Sequence, residues 1–172
     1  MGPVYQGMND WKTSARQAAV SGTAASLLST AVLALSGKLE HNAPAGPLNG
    51  PSQWLFGRQA AYRRSASLRH TLTGFLIHHA MATGWALLHE RLFGRHKQAQ
   101  TTARRLGSAI ATAAVANFVD YRLTPRRLQP GFEAQLSKKA LFAVYAAFAI
   151  GLTVYGAAKR REATRSGSPE VS

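Results

Sequence analysis

Two adjacent histidines, His78 and His79, stand in the segment FLIHHAMATGWALLHE, inside a run from 71 to 89 that contains no Asp, Glu, Lys or Arg. An imidazole titrates near neutral pH, ligates metals and donates or accepts hydrogen bonds, so such a pair within an apolar run raises three kinds of chemistry. On a helix the two side chains point about 100° apart and serve different neighbours. His78, Ala82, Trp85 and His89 share one face, and His79, Thr83, Ala86 and Glu90 the next. Metal binding is disfavoured, because His78 and His89 are separated by roughly 16 Å of helix while ligand bonds are about 2 Å long. The HExxH and ExxH spacings of helical metal sites are missing. A haem held by two histidines needs a second one from a facing helix, and the other charge-free runs contain none. No metal and no cofactor is therefore expected.

Hydrogen bonding across a bundle is the remaining use. Asn117, Asp120 and Tyr121 lie three and four residues apart, a spacing that puts them on one helical face, and Tyr145 and Tyr155 occur further on. His78, His79, Asn117, Asp120 and Tyr121 thus form a polar track in the sequence reading. Such a track is either a proton relay or the hydrogen-bonded glue between helices.

The elements that must carry these residues are set by the distribution of charge. Of the 172 residues, 46% are hydrophobic and only 16% charged, with 21 Lys and Arg against 7 Asp and Glu. A net charge of +14 suggests a polyanion partner. Resolved by position, however, the charges cluster between four charge-free runs, at 17–37, 71–89, 106–119 and 140–158. A helix of about 19 residues is roughly 28 Å long, close to the hydrocarbon thickness of a bilayer. The segment ALFAVYAAFAIGLTVYGAA offers no polar face to water, as a surface helix of a soluble bundle would. Spans are predicted at about 18–37, 71–89, 103–120 and 140–158, within a single membrane domain covering 1–172. Small residues at four-residue spacing, Gly22, Ser26 and Thr30, Ala80 and Gly84, Gly107 and Ala111, and Ala143, Ala147 and Gly151, would let these helices approach closely. The first run is longer than a signal-peptide core and reads as a retained span. Gln6 occupies the place where a myristoylation motif has Ser or Thr.

The connections are basic. In 38–70 a Pro/Gly-rich stretch precedes SQWLFGRQAAYRRSASLRH, where Ser52 is a natural N-cap and Trp54, Arg58 and Tyr62 fall on one helical face. This composition predicts a helix lying in the membrane interface, anchored by Trp54, Phe56 and Tyr62. Arg63 and Arg64 here, and Arg122, Arg126 and Arg127 after the third run, are candidate contacts for anions or lipid head groups, since guanidinium pairs with phosphate. Asp120 and Glu133 could alternatively neutralise those arginines. Residues 159–172 form a basic tail. Basic residues divide almost evenly between the two sides, so the positive-inside rule does not decide orientation. The Lys159-Arg160-Arg161 cluster beside the last run favours cytoplasmic termini.

No nucleophile elbow, phosphate-binding glycine loop or dinucleotide fingerprint occurs, and the absence of cysteine removes thiol chemistry, so an enzyme is disfavoured. The segments NGPSQWLFGRQAAYRRSAS, RHTLTGFLIHHAMATGWALLHE and FVDYRLTPRRLQPGFEAQLS resemble a group of small, uncharacterised proteobacterial multi-pass membrane proteins, over roughly residues 45–150. The resemblance implies a bacterial inner-membrane location and no known activity. The expected fold is therefore all-α: a four-span transmembrane bundle with an interfacial amphipathic helix in its first long connection. The expected role is structural or accessory, in contact with anionic membrane lipids, as a homo-oligomer or part of a larger complex. The alternatives are a small transporter or proton-coupled component using the histidine pair, and a soluble basic nucleic-acid-binding protein, for which the flanking spans leave little room.

Overall fold

A computed structural model describes residues 3–94 and 101–157, with side chains from residue 11 onward. The expected basic tail lies outside the described residues. The described chain is all-helical, without strands. Four long helices dominate: α1 (Pro3–His41), α2 (Thr73–Phe93), α3 (Thr102–Phe118) and α4 (Lys138–Leu152).

The helix ends follow local chemistry. After α1 the chain turns off at Asn42, whose φ of 52° is left-handed, and the Ala43 N–H reaches the Gly37 carbonyl at 3.0 Å. Ser67 caps the π-helical turn (Leu68–Leu72) that leads into α2, accepting from the His70 N–H at 3.1 Å. Thr101 and Ser137 cap α3 and α4 in the same way. At the start of α4 a second group joins: the Ser137 hydroxyl donates to Glu40 Oε1 at 2.6 Å and its N–H to Oε2 at 2.9 Å. A carboxylate from the end of α1 thus sits on the positive end of α4. Those two hydrogen bonds, the hydroxyl first, hold the exposed Glu40 carboxyl below its ordinary value.

The contacts fix an up-down-up-down arrangement. Running along α1, Ser29 meets His78 and Ser21 meets Glu90, so α2 is antiparallel to it. Glu40 beside Ser137, and Ala25 against Gly151, make α4 antiparallel as well. Arg105 reaches Gly156, and Asp120 reaches Tyr145, which orients α3 against α4. α1 makes its principal interfaces with α2 and α4, and α3 leans chiefly on α4.

Two helices, over Trp11–His41 and Lys138–Ala157, are long and apolar enough to cross a membrane. α2, 21 residues long, falls short because three histidines and Glu90 dilute it, and α3 has only 17 residues and carries Arg104 and Arg105. Only 39% of each apolar window is buried, unlike the core helix of a soluble bundle. On three helices what is buried is mostly small or polar: Ser14, Ala18, Ser21, Ala25 and Ser29 beside Leu33 on α1, Ala82, Ala86, His89 and Glu90 on α2, Arg105, Ala109, Thr112 and Ala113 on α3; α4 also buries Val144, Phe148 and Leu152. The large side chains stand outside, Leu27, Leu28 and Leu35 on α1, Leu76, Leu88 and Leu92 on α2, Leu106, Ile110 and Phe118 on α3, Phe142 and Ile150 on α4.

The small-residue pattern is used selectively. A Cβ on Gly22 would stand 2.8 Å from Thr83 Cα, and one on Gly151 would run into the Ala25 backbone. Gly84 and Gly107, in contrast, have nothing within 4 Å of that position, and Ala80, Ala111 and Ala143 are exposed. Four-residue spacing alone does not distinguish the face turned inward from the one turned out.

The first connection corrects the expected interfacial helix. Gln53–Phe56 is a single turn, ended by Gly57 at φ 78°, and Arg58–Tyr62 is a separate 3-10 turn. The Ser52 hydroxyl bonds back to Asn49 O at 2.7 Å instead of capping a helix. Together with Arg126–Leu128 and Phe132–Ala134 these turns form a cap across one end of the bundle. Its interior is amide chemistry. The Asn49 Nδ2 donates to Arg63 O at 2.8 Å and Ser65 O at 3.1 Å, and Oδ1 accepts from the Thr71 hydroxyl at 2.7 Å. Gln53 Nε2 donates to Gln129 O at 2.7 Å, and Gln135 Nε2 to Ala61 O at 2.9 Å. Gly50 and Gly131 lie backbone to backbone; a Cβ on Gly50 would be 2.8 Å from Pro130 O.

Candidate functional site

Under the cap lies a cavity of about 60 Å³, room for a few waters or one small group. All four long helices contribute to it: Ser29 from α1, His78, Met81 and Trp85 from α2, Ala116 from α3, Tyr145 and Phe148 from α4. Asp120 enters from the π-helical turn (Val119–Leu123), and Trp54 and Phe132 from the cap. His78 Nε2 is hydrogen-bonded to Ser29 Oγ at 2.9 Å, and its ring meets Phe132 edge-on at 5.5 Å. The Tyr145 hydroxyl donates to Asp120 Oδ2 at 2.7 Å. No Lys or Arg lines this space.

The five residues of the polar track are therefore divided. His78 and Asp120 share the cavity. Asn117 and Tyr121 line a groove on the other side, between α3 and α4, where Tyr121 packs on Tyr145 with ring centroids 6.3 Å apart. Helical spacing accounts for the division: Asp120 lies four residues after Ala116, which also lines the cavity, whereas Tyr121 lies four after Asn117, on the groove side. His79 turns away as well, stacked on Phe75 at 5.9 Å with its buried Nδ1 unpaired. Tyr145 was noted as a partner for the histidines; its hydroxyl is instead the donor to Asp120.

A second polar layer crosses the bundle about 12 Å away, the eight-residue rise from Ser21 to Ser29. The Ser21 hydroxyl donates to Glu90 Oε1 at 2.9 Å, His89 Nδ1 bonds Thr112 Oγ1 at 2.9 Å, and Arg105 donates to the Gly156 carbonyl at 2.6 Å near the end of α4. Charge alone would place Glu90 and Arg105 at a surface; both are buried. The sequence signal that could have found them is Ser21 and Thr112, small hydroxyls in apolar runs.

Outside, Arg58, Arg69 and Arg127 converge on a shallow groove floored by Leu55 and Phe56. Arg69 lies 4.6 Å over the Phe56 ring, and Phe56 meets His70 edge-on at 5.1 Å. Burial, and then the positive charges of Arg63 and Arg69, hold His70 below its ordinary value. Arg127 was expected to contact anions; Arg58 and Arg69 were missed, because only the folded cap brings three separate segments together. Arg63, Arg64, Arg122 and Arg126 are exposed at the same end but outside this groove. Trp54, expected as an interfacial anchor, is partly buried, and its indole N–H donates inward, to Gln129 O at 3.2 Å. Phe56 is half-buried beneath Arg69, and Tyr62 is exposed.

No protein-family model, curated protein or solved structure matches the chain. Among the described residues no cluster of three or more His, Cys, Asp and Glu is placed to hold a metal ion. The arrangement offers one carboxylate and one imidazole in an aromatic-walled cavity, and a cationic groove outside.

Proposed function

We propose that the chain is a multi-pass membrane protein of structural or accessory role, in which all four long helices cross the bilayer and the basic cap end engages anionic lipid. The observation that carries this reading is the belt of large apolar side chains turned outward on all four helices, over inner faces that on α1, α2 and α3 are mostly small or polar, while α4 also buries Val144, Phe148 and Leu152. In water such a belt would be an aggregation surface. In lipid, where the hydrophobic effect does not drive helices together, small residues at the contacts and polar groups turned inward are the expected solution. Charge dilutes α2 and α3, but Glu90 and Arg105 are buried and turned inward, Glu90 accepting from Ser21 and Arg105 donating to the Gly156 carbonyl. α1 is the helix on which α2 and α4 pack, which supports a retained span over a cleaved signal.

The groove of Arg58, Arg69 and Arg127 supplies the lipid contact, placed beside exposed Leu55 and Leu68 where an interface would run. The bacterial inner membrane is the location implied by the resemblance above. Membranes from expressing cells, washed with high salt and alkaline carbonate, test the proposal: the chain stays in the pellet and leaves it only with detergent. Release by salt alone would sink the membrane reading and favour a polyanion binder. Flotation with phosphatidylglycerol against phosphatidylcholine vesicles tests the groove, with preference for the anionic lipid lost on changing the three arginines to Gln.

A second reading, a small transporter or proton-coupled component, is favoured by one observation: His78 and Asp120 face a common cavity. It involves His78 and not the pair, since His79 faces Phe75. Proton or solute flux in proteoliposomes that is indifferent to His78→Phe and Asp120→Asn would eliminate it.

A further inference from the structure

We propose that the cavity under the cap binds a small organic cation, a quaternary or tertiary ammonium group held between the Asp120 carboxylate and aromatic side chains. The inference deepens the second reading and rests on it for its site. Its first support is charge. The chain has three times as many basic as acidic residues, yet the one formally charged side chain on this cavity wall is a carboxylate. Its single hydrogen bond comes from a neutral phenol, Tyr145, so its charge is uncompensated, a costly state unless a cation or a proton fills the place.

The second support is the wall. Trp54, Trp85, Phe132, Tyr145 and Phe148 surround the same space. The Trp54 N–H is committed to Gln129 O and the Tyr145 hydroxyl to Asp120, so what these two rings offer a ligand is π surface. Aromatic rings around a cation are the recognised cage for alkylated ammonium groups. A metal ion fits poorly, since Ca²⁺ or Mg²⁺ needs at least about six oxygen ligands and the wall has far fewer. His78 is a wall residue here, its Nε2 occupied by Ser29.

The third support is access. Met81 and Leu128, on the cavity lining, are 41% and 43% exposed, so the opening is flanked by apolar side chains. A methylated ammonium, whether free or carried on a lipid head group, is compatible with entry past such residues; a strongly hydrated inorganic ion is not.

The test uses the full chain in uncharged maltoside micelles, with tryptophan emission as the signal. Tetramethylammonium chloride should give a saturable change. Sodium chloride at equal ionic strength and 3,3-dimethylbutan-1-ol, an uncharged molecule with a similar branched methyl head, should not. Trp11→Phe should leave the response intact, because Trp11 packs on Arg91 and does not line the cavity. Asp120→Asn should weaken binding by about tenfold or more. If that variant does not fold, the preference for the ammonium over the neutral alcohol on the unaltered chain decides alone. Equal binding of the alcohol, no saturable response to tetramethylammonium, or undiminished binding by a folded Asp120→Asn variant overturns the proposal. Repeating the titration in phosphatidylglycerol and in phosphatidylcholine nanodiscs separates the sources, since a lipid-borne choline competes only in the second. Binding without flux in proteoliposomes keeps the site and removes the transport reading; absence of binding removes the site alone.

Discussion

Four glycines that look alike in the sequence should respond oppositely to one added methyl group. Gly22 of α1 faces α2, and a Cβ there would stand 2.8 Å from Thr83 Cα and 3.1 Å from Ala86 Cβ. Carbon atoms in good contact are about 3.5–4.0 Å apart, so α1 and α2 must separate by close to an ångström. The obstruction includes backbone, which cannot rotate away. Overpacking of this kind costs about 1–3 kcal/mol, and alanine's better helix propensity returns at most about 1 kcal/mol. Gly22→Ala is therefore destabilised by about 1–2 kcal/mol. Gly151→Ala, whose Cβ would meet the Ala25 backbone and lie 2.8 Å from Ala24 C, should be hit at least as hard. Gly84→Ala and Gly107→Ala meet nothing within 4 Å and should gain about 0.5–1 kcal/mol from the helix alone. At roughly 2–4 °C per kcal/mol for a chain of this size, the first pair loses several degrees and the second gains one to a few. Circular dichroism melts of the four variants in one detergent provide the comparison. A Gly84→Ala or Gly107→Ala variant that melts as far below the parent as Gly22→Ala would refute the helix faces described above.

The two histidines should also part company: His78→Phe loses the Ser29 hydrogen bond and about 1–2 kcal/mol, while His79→Phe, relieving an unpaired Nδ1 against Phe75, stays within about 0.5 kcal/mol of the parent in the same melts. Asn49→Ala strands the Ser65 carbonyl and the Thr71 hydroxyl and leaves the Arg63 carbonyl only its 3.3 Å bond from Gln135, and should cost about 2–3 kcal/mol, seen as a lowered melt and faster proteolysis between 57 and 68. The Glu40 carboxyl is held below its ordinary value of 4.5, so its contribution is present above that pH and is lost as pH falls through the lower folded value. Being exposed and salt-screened, the contact is worth about 0.3–1 kcal/mol; Glu40→Gln should lower the melt at pH 7 and bring the two chains together near pH 3, and a gap that widens on acidification would contradict the capping role.

The placement of the helices was legible because it depends on charge, which is read one residue at a time. The runs at 17–37, 71–89, 106–119 and 140–158 each fall within or largely overlap one long helix. The cap was not legible, because its stability lies in contacts between segments more than seventy residues apart, such as Gln53 with Gln129 and Gln135 with Ala61. Periodicity in SQWLFGRQAAYRR suggested a helix, and Gly57 at φ 78° ended it. The polar track divides because a three-residue step is not a four-residue step: Asp120 aligns with Ala116 on the cavity face, and Tyr121 with Asn117 on the groove side. Two residues can be near neighbours around a helix and still face different spaces.

The surroundings of Asp120 explain why the cavity is the best place to look for function. Asp120 follows Ala116 by four residues onto the cavity face and stands opposite Tyr145, under a roof whose amides are tied to backbone carbonyls at Arg63, Ser65, Ala61 and Gln129. Asn49, Gln53 and Gln135 are buried and bonded, so that roof cannot easily fold in to cover a carboxylate left without a counter-ion. The carboxylate without a counter-ion is unfavourable for folding alone. A bound cation would offset it, and the hydrogen-bonded roof is what would hold the site open to receive it.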